Sequence, residues 1–184
     1  EETDRLEMSL DLIFQVLSDA SLAGWNGFGI VVQAYQKRAP FVIDHIVHMA
    51  GQLGRRIPVR LVKGAYWDAE TVSAKQNGWP IPVWTHKPET DAAYERIAKK
   101  ILQNQDLVYF ACASHNVRTI SAVMEMAKAL NVPEHRLEYQ VLYGMGEPVR
   151  LMIDLPNDVE IADLAIWRAG EKLLVASSAG DGFI

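Results

Sequence analysis

The run PVRLVKGAYWDAE, residues 58–70, decides the fold of this chain. Its first half is short, apolar and rich in β-branched residues, and from about Ala69 the pattern turns helical. The reading is a strand over roughly 59–64 that feeds a helix ending at the Asn77–Gly78 pair. Yet the strand carries Arg60 and Lys63, and it ends in Gly64, Ala65, Tyr66 and Trp67. A charge taken out of water must be paired or must face a polar ligand. On the residues alone, Arg60 is either a core ion pair with a carboxylate on a neighbouring strand or a cation kept for a ligand. Lys63 either snorkels at a rim or, desolvated at a strand end, forms a Schiff base with a carbonyl substrate. Gly64 and Ala65 are small enough to let a flat ligand or a phosphate approach the backbone. Tyr66 and Trp67 either wall an apolar slot or belong to the core.

Working outward, residues 3–17 place Leu6, Leu10, Phe14 and Leu17 on one helical face. Phe28 to Ala34 reads as a strand, and Pro40 opens a helix with Val42, Ile43, Ile46, Met49 and Leu53 on one side. GWPIPVWTHKPET, residues 78–90, has three prolines and reads as a loop long enough to carry function. Thr90 is expected to cap a helix bearing Tyr94, Ile97, Ile101 and Leu102. Residues 106–114 are a strand, 116–130 a helix with Val117, Ile120, Met124 and Ala127 inward, and 136–144 a fourth strand. VRLMIDLP at 149–156 is expected to be a further strand and 157–174 a helix. The tail ASSAGDGFI is small and polar enough to be loose.

Strands alternating with helices imply parallel pairing through crossovers. A doubly wound open sheet and a (β/α)8 barrel both satisfy this. Gln33, Lys63, His115 with Asn116, and Gly144 with Met145 all fall at the carboxyl ends of strands, where both folds place their sites. No G-x-G-x-x-G follows the first strand, which disfavours a dinucleotide-binding domain. A complete barrel needs about 250 residues, so four strands in 184 residues read as half of one.

The bulk numbers narrow the function classes. The chain is 49% hydrophobic and 22% charged, enough for one soluble-type core. A net charge of -5 with no basic tract argues against nucleic acid as a partner of this segment. No apolar run reaches the roughly 20 residues of a membrane span. The acidic start carries no signal peptide, and its lack of Met suggests a piece of something longer. The single cysteine, Cys112, allows no internal disulfide and fits a reducing compartment. Among the polar residues, Gln33 offers one donor and one acceptor group, suited to the edge of a heterocycle or to a backbone edge. Thr85, His86 and Lys87 suit phosphates or are simply solvated. His115 suits acid–base chemistry or a structural hydrogen bond. His45 and His48 have no ligand partners nearby and read as surface residues, so no metal site is expected.

RLVKGAYWDAE, with VVQAYQKR before it and ASHN and GMGEP after it, resembles the proline dehydrogenase domain of bacterial proline utilization A. The resemblance runs over about residues 1–148, with the motifs in the family's order and spacing. It implies a partial (β/α)8 barrel of about four consecutive βα units, residues 1–148. Residues 149–184 then form a divergent C-terminal strand and helix with a loose tail. It implies FAD at the carboxyl ends of the strands and oxidation of L-proline to Δ1-pyrroline-5-carboxylate by hydride transfer. By position, Gln33 resembles the glutamine at the isoalloxazine edge and Arg60 the arginine near flavin N5. Lys63, Gly64, Ala65 and Trp67 match the cofactor-contacting run, and Tyr66 resembles a residue of the proline pocket. Thr85, His86 and Lys87 match the loop at the phosphates and ribose, with His86 where arginine is common. Ser114, His115 and Asn116 match the adenosine side. Gln140, Val141 and Leu142 match the strand beneath the flavin, with Leu142 towards the substrate.

The family's proline-carboxylate lysine and an early aspartate fall upstream of Glu1. Its arginine pair has no counterpart in the helix expected over 157–174, where only Arg168 is at hand. The resemblance further implies a cytoplasmic enzyme, or one peripheral to the inner membrane, using a membrane quinone as electron acceptor. A Schiff-base lyase or aldolase on Lys63, and a non-catalytic truncated module that self-associates, are the competing expectations.

Overall fold

A computed structural model describes residues 3–142, 164–167 and 174–176. Six strands form one sheet: β1 (Ile30–Gln33), β2 (Ile57–Val62), β3 (Val108–Ala113), β4 (Leu137–Leu142), β5 (Leu164–Trp167) and β6 (Leu174–Ala176). Among the described residues five α-helices accompany them: α1 (Leu6–Leu17), α2 (Ala39–Leu53), α3 (Trp67–Gln76), α4 (Lys87–Gln103) and α5 (Val117–Ala129). The spatial order is β1-β2-β3-β4-β5-β6, and β1 to β4 are mutually parallel. Each strand lies beside the next one in the chain. A doubly wound sheet reverses its order at a switch point; this one does not, so the first four strands form the arc of a barrel. The parallel run stops at β4. Strand β5 pairs antiparallel to β4, and β6 antiparallel to β5.

The period of two along each strand separates two chemistries. Ile57, Val59 and Leu61 of β2 and Val108, Phe110 and Cys112 of β3 are essentially inaccessible and pack with the helix residues Ile43, Ile46, Ile97, Ile101, Ile120 and Val123 in one core. The alternate residues Arg60 and Val62, Ala111 and Ala113, and Glu138 and Gln140 lie on the opposite face of the sheet. Apolar burial holds the helices on one face and leaves the other for a site. The Cys112 thiol is on the core side, and burial pushes it up to about 12, which keeps it protonated and unreactive.

Local chemistry fixes the helix ends. Helix α2 stops at Gly54, whose φ of 58° is the left-handed geometry a helix C-terminus favours. Helix α5 starts at Asn116, whose side-chain oxygen accepts from the Thr119 N–H at 3.0 Å.

Several expectations need correction. Helix α4 begins at Lys87 with Pro88 in its first turn, and the capping position is His86, not Thr90. The His86 N–H donates to the Glu89 carboxylate at 3.2 Å, half of a capping box. In α1 the inward residues are Leu6, Leu10, Ile13 and Leu17, while Phe14 faces out. Val117 is exposed because it is the first residue of α5, and Val123 takes the inward place. The helix expected over 157–174 is contradicted at 164–167, which form β5. The strand at 149–156, Gly144, Met145, Arg168 and the tail from 177 lie outside the described residues.

Candidate functional site

A cleft of about 700 Å³ opens on the face of the sheet away from the helices, at the carboxyl ends of β1 to β4. This size is ordinary for a small-molecule site. Its walls bring together Gln33, Arg60, Lys63, Gly64, Ala65, Tyr66, Lys87, Ser114, His115, Asn116, Gln140, Val141 and Leu142. A second cleft of about 340 Å³ shares Lys63, Gly64 and Lys87 with the first and adds Trp67 and Thr85. His86 lines neither; it is the cap of α4. Residues from four strands and three loops therefore meet at one end of the sheet.

Arg60 is half-buried and forms no salt bridge among the described residues, and its Nε is buried without a hydrogen-bond partner. The ion-pair reading of Arg60 fails for a geometric reason. In register it faces Ala111 of β3, and Ala111 in turn faces Glu138 of β4. The carboxylate in its row is thus two strands away, across a methyl group. The same register sets Ala113 beside Gln140. Two alanines leave a shallow floor between polar residues. The Gln140 Oε1 is also buried and without a partner. Orphaned buried atoms of this kind cost about 1–3 kcal/mol each unless something satisfies them.

The turn after β2 is held from three sides. Gln33 Oε1 accepts from the Ala65 N–H at 3.2 Å, and the Tyr35 N–H donates to the Lys63 carbonyl at 2.8 Å. Gly64 sits at φ 138°, and a methyl group there would lie 2.5 Å from the Tyr35 ring. Only glycine fits both the dihedral and the ring. The proline-rich loop is equally anchored: the Lys37 N–H donates to the Pro82 carbonyl at 2.9 Å and the Trp84 N–H to the Tyr35 carbonyl at 2.8 Å. The Trp67 indole donates to the Trp84 carbonyl at 2.9 Å.

Lys63 is ion-paired with Asp91, and Asp91 also accepts from Lys87 at 2.7 Å. Burial pushes the Asp91 carboxyl up, but the two lysines outweigh it and hold it below its ordinary value. Two ammonium groups, Lys63 and Lys87, are balanced by Asp91 and by Glu89 in the first turn of α4, so the positive end there is that of the helix dipole, with the two ammonium groups as its donors. The ion pair occupies the amine that a Schiff base would need, so the lyase reading is set aside. Asp91 was not legible as a site residue; its i,i+4 spacing from Lys87 was the available signal.

His115 Nε2 accepts from the Leu142 N–H at 2.6 Å, so the ring is neutral with its proton on Nδ1. Burial lowers its pKa further. The acid–base reading gives way to a structural one: His115 ties the loop after β3 to the end of β4. Ser114 Oγ accepts from the Asn116 N–H at 3.1 Å, and the Asn116 oxygen is spent on the α5 cap. Tyr66 is 51% exposed and Leu142 is 39% exposed, both on the open side. Glu138 and Tyr109 were also missed by sequence reasoning. The Tyr109 hydroxyl donates to Glu138 Oε2 at 2.8 Å, and Gln140 Nε2 donates to Glu138 Oε1 at 2.6 Å. The signal was the one used for Arg60: an ionisable residue inside an apolar strand.

Comparison with known proteins gives the family of the chain. The family model described as proline dehydrogenase matches residues 1–157. Over 150 residues the chain is 48% identical to the bifunctional protein PutA of Klebsiella aerogenes, covering 81% of this chain and 11% of that one. Over 123 residues it is 31% identical to proline dehydrogenase 2 of Bacillus subtilis, covering 67% of this chain and 35% of that one. The crystal structure of proline utilization A from Bdellovibrio bacteriovorus, inactivated by N-propargylglycine, superposes with a TM-score of 0.80 at 42% identity, over 84% of this chain and 16% of that one. The chain thus spans about a tenth of the length of the PutA relatives it matches.

Proposed function

We propose, from the premise that this chain belongs to the proline dehydrogenase family, that it forms the flavin-facing part of a site oxidising L-proline to Δ1-pyrroline-5-carboxylate with FAD. The observation that carries this reading is the pair of orphaned buried atoms, a donor on Arg60 and an acceptor on Gln140, at one cleft. The edge of a fused isoalloxazine ring offers acceptors for the first and an imide N–H for the second. The alanine floor at Ala111 and Ala113 suits a flat ligand.

When bound, a flavin supplies the acceptor for the hydride that leaves proline. Arg60 keeps a fixed cation against the wall where charge gathers on reduction, and it needs no reorganisation to do so. Lys63 and Lys87, with Asp91 between them, hold the positive end for phosphate groups. Gln33 fixes the Gly64–Ala65 turn by taking the Ala65 N–H, and so shapes the wall that a ring edge would meet. Tyr66 and Leu142 line the open side, where proline would enter. Trp67 and Thr85 extend the cofactor groove through the second cleft, and Ser114, His115, Asn116 and Val141 close its far wall. His86 serves by starting α4 where the lysines can converge.

Membrane quinone as electron acceptor and a cytoplasmic or membrane-peripheral placement belong to the same proposal and rest on family likeness, whereas self-association rests on the open edge of the described sheet. Among the described residues, no helix is long and apolar enough to cross a membrane. The division at 148/149 is also proposed, supported by the change from parallel to antiparallel pairing after β4. The test is spectroscopic. The natural gene product carrying this chain, mixed with FAD, should show a protein-bound flavin spectrum, and anaerobic L-proline should bleach its visible band. Absence of binding, or a spectrum untouched by proline, overturns the reading.

A further inference from the structure

We propose that Glu138 is a positioning residue that fixes which end of the Gln140 amide faces the cleft, and so makes the site require an N–H donor on its ligand. The inference deepens the flavin reading and rests on it. Glu138 and Gln140 are two apart on β4, so both side chains stand on the same face of the sheet. Glu138 is 7% exposed and Gln140 8%. Gln140 Nε2 donates to Glu138 Oε1 at 2.6 Å, and the Tyr109 hydroxyl on the neighbouring strand donates to Glu138 Oε2 at 2.8 Å. A carboxylate accepts and does not donate, so the amide can meet it only through its nitrogen.

The Gln140 oxygen is left buried and without a partner, in a residue that lines the cleft. If the amide turned over, two oxygens would face each other at Glu138. Tyr109 holds the carboxylate from the other side, which removes its freedom to rotate away. The outcome is a rigid acceptor whose burial is compensated only when a ligand brings a donor. For a flavin that donor is the imide N–H of the ring, the group flanked by its two carbonyls. A ligand alkylated at that nitrogen loses the bond and leaves the acceptor orphaned.

The experiment compares FAD with its N3-methyl analogue, titrated into the flavin-stripped natural gene product and followed by flavin fluorescence. Wild type is expected to prefer FAD by about 10-fold or more, the size of one unsatisfied buried acceptor. Glu138→Gln can place its own amide either way round, and it should cut that preference to about 2-fold. The ratio of the two affinities is the readout, because a general loss of stability moves both together. Should Glu138→Gln fail to fold by circular dichroism, Tyr109→Phe replaces it; loosening the carboxylate is expected to lower the preference about 3-fold. If wild type binds both flavins equally, or neither variant alters the ratio, the positioning role is wrong while the flavin reading stands. If wild type binds neither flavin, the flavin reading falls and this inference with it.

Discussion

Among the described residues Arg60 pairs with no anion, so replacing it should be mild for the fold and severe for the chemistry. Arg60→Met keeps much of the stem and removes the cation. Its stability by urea unfolding is expected to stay within about 1 kcal/mol of wild type. The kcat/KM for proline should fall about 100-fold, as when a preorganised electrostatic partner is lost. A loss of stability with turnover retained would show that the guanidinium serves packing alone. Gly64 predicts the reverse pattern. Gly64→Ala forces a methyl group against the Tyr35 ring and an alanine to a positive φ, and it should cost about 2–4 kcal/mol in denaturant titration. Asp91 gives a pH test. Its folded pKa is depressed, so its contribution is complete above the ordinary value of 3.8 and is lost as pH falls below that through the folded value. Stability measured from pH 5 downward should drop less steeply in Asp91→Asn than in wild type.

At the scale of elements, the loop after β3 is tied to β4 by the Ser114 N–H on the Gln140 carbonyl and, at the strand's last residue, by the Leu142 N–H on a neutral imidazole. The folded pKa of His115 is lowered, so the unfolded chain binds the proton more readily. Its stability contribution is therefore full above about 6.5 and is lost as pH falls from there towards the folded value. Thermal melting between pH 8 and 5 should show a fall in Tm below about 6.5 that His115→Phe reduces; an identical slope in the variant would discount the tie. The elements themselves were readable where one face is apolar throughout. β2 and β3 announce themselves through Ile57, Val59, Leu61, Val108, Phe110 and Cys112, and their ends were misjudged by one or two residues because only this core-facing row alternates cleanly. The start of α4 was misplaced by preferring a threonine cap over the Pro88–Glu89 signal beside it. The segment containing β5 reads with helical spacing, and a four-residue strand is too short to contradict that spacing from sequence. Of the site, Arg60, Lys63 and Gln140 were legible because polar groups at strand ends are conspicuous. Asp91 and Glu138 were not, since what they do depends on partners brought near by the fold.

At the scale of the whole molecule, the described sheet has an edge at β1. Val31 on that strand is 42% exposed, and α1 shows Met8, Leu12 and Val16 to solvent at successive i,i+4 positions. An unpaired edge and an apolar stripe each invite pairing with another chain. The isolated chain is expected to elute at a size that grows with concentration in gel filtration with light scattering, and Leu12→Lys should shift it towards monomer. A monomer of constant mass at high concentration would count against self-association. The strictly sequential order of β1 to β4 also bears on biosynthesis. Each strand's template is the strand the ribosome has just released, so the arc can lengthen one unit at a time from its amino end.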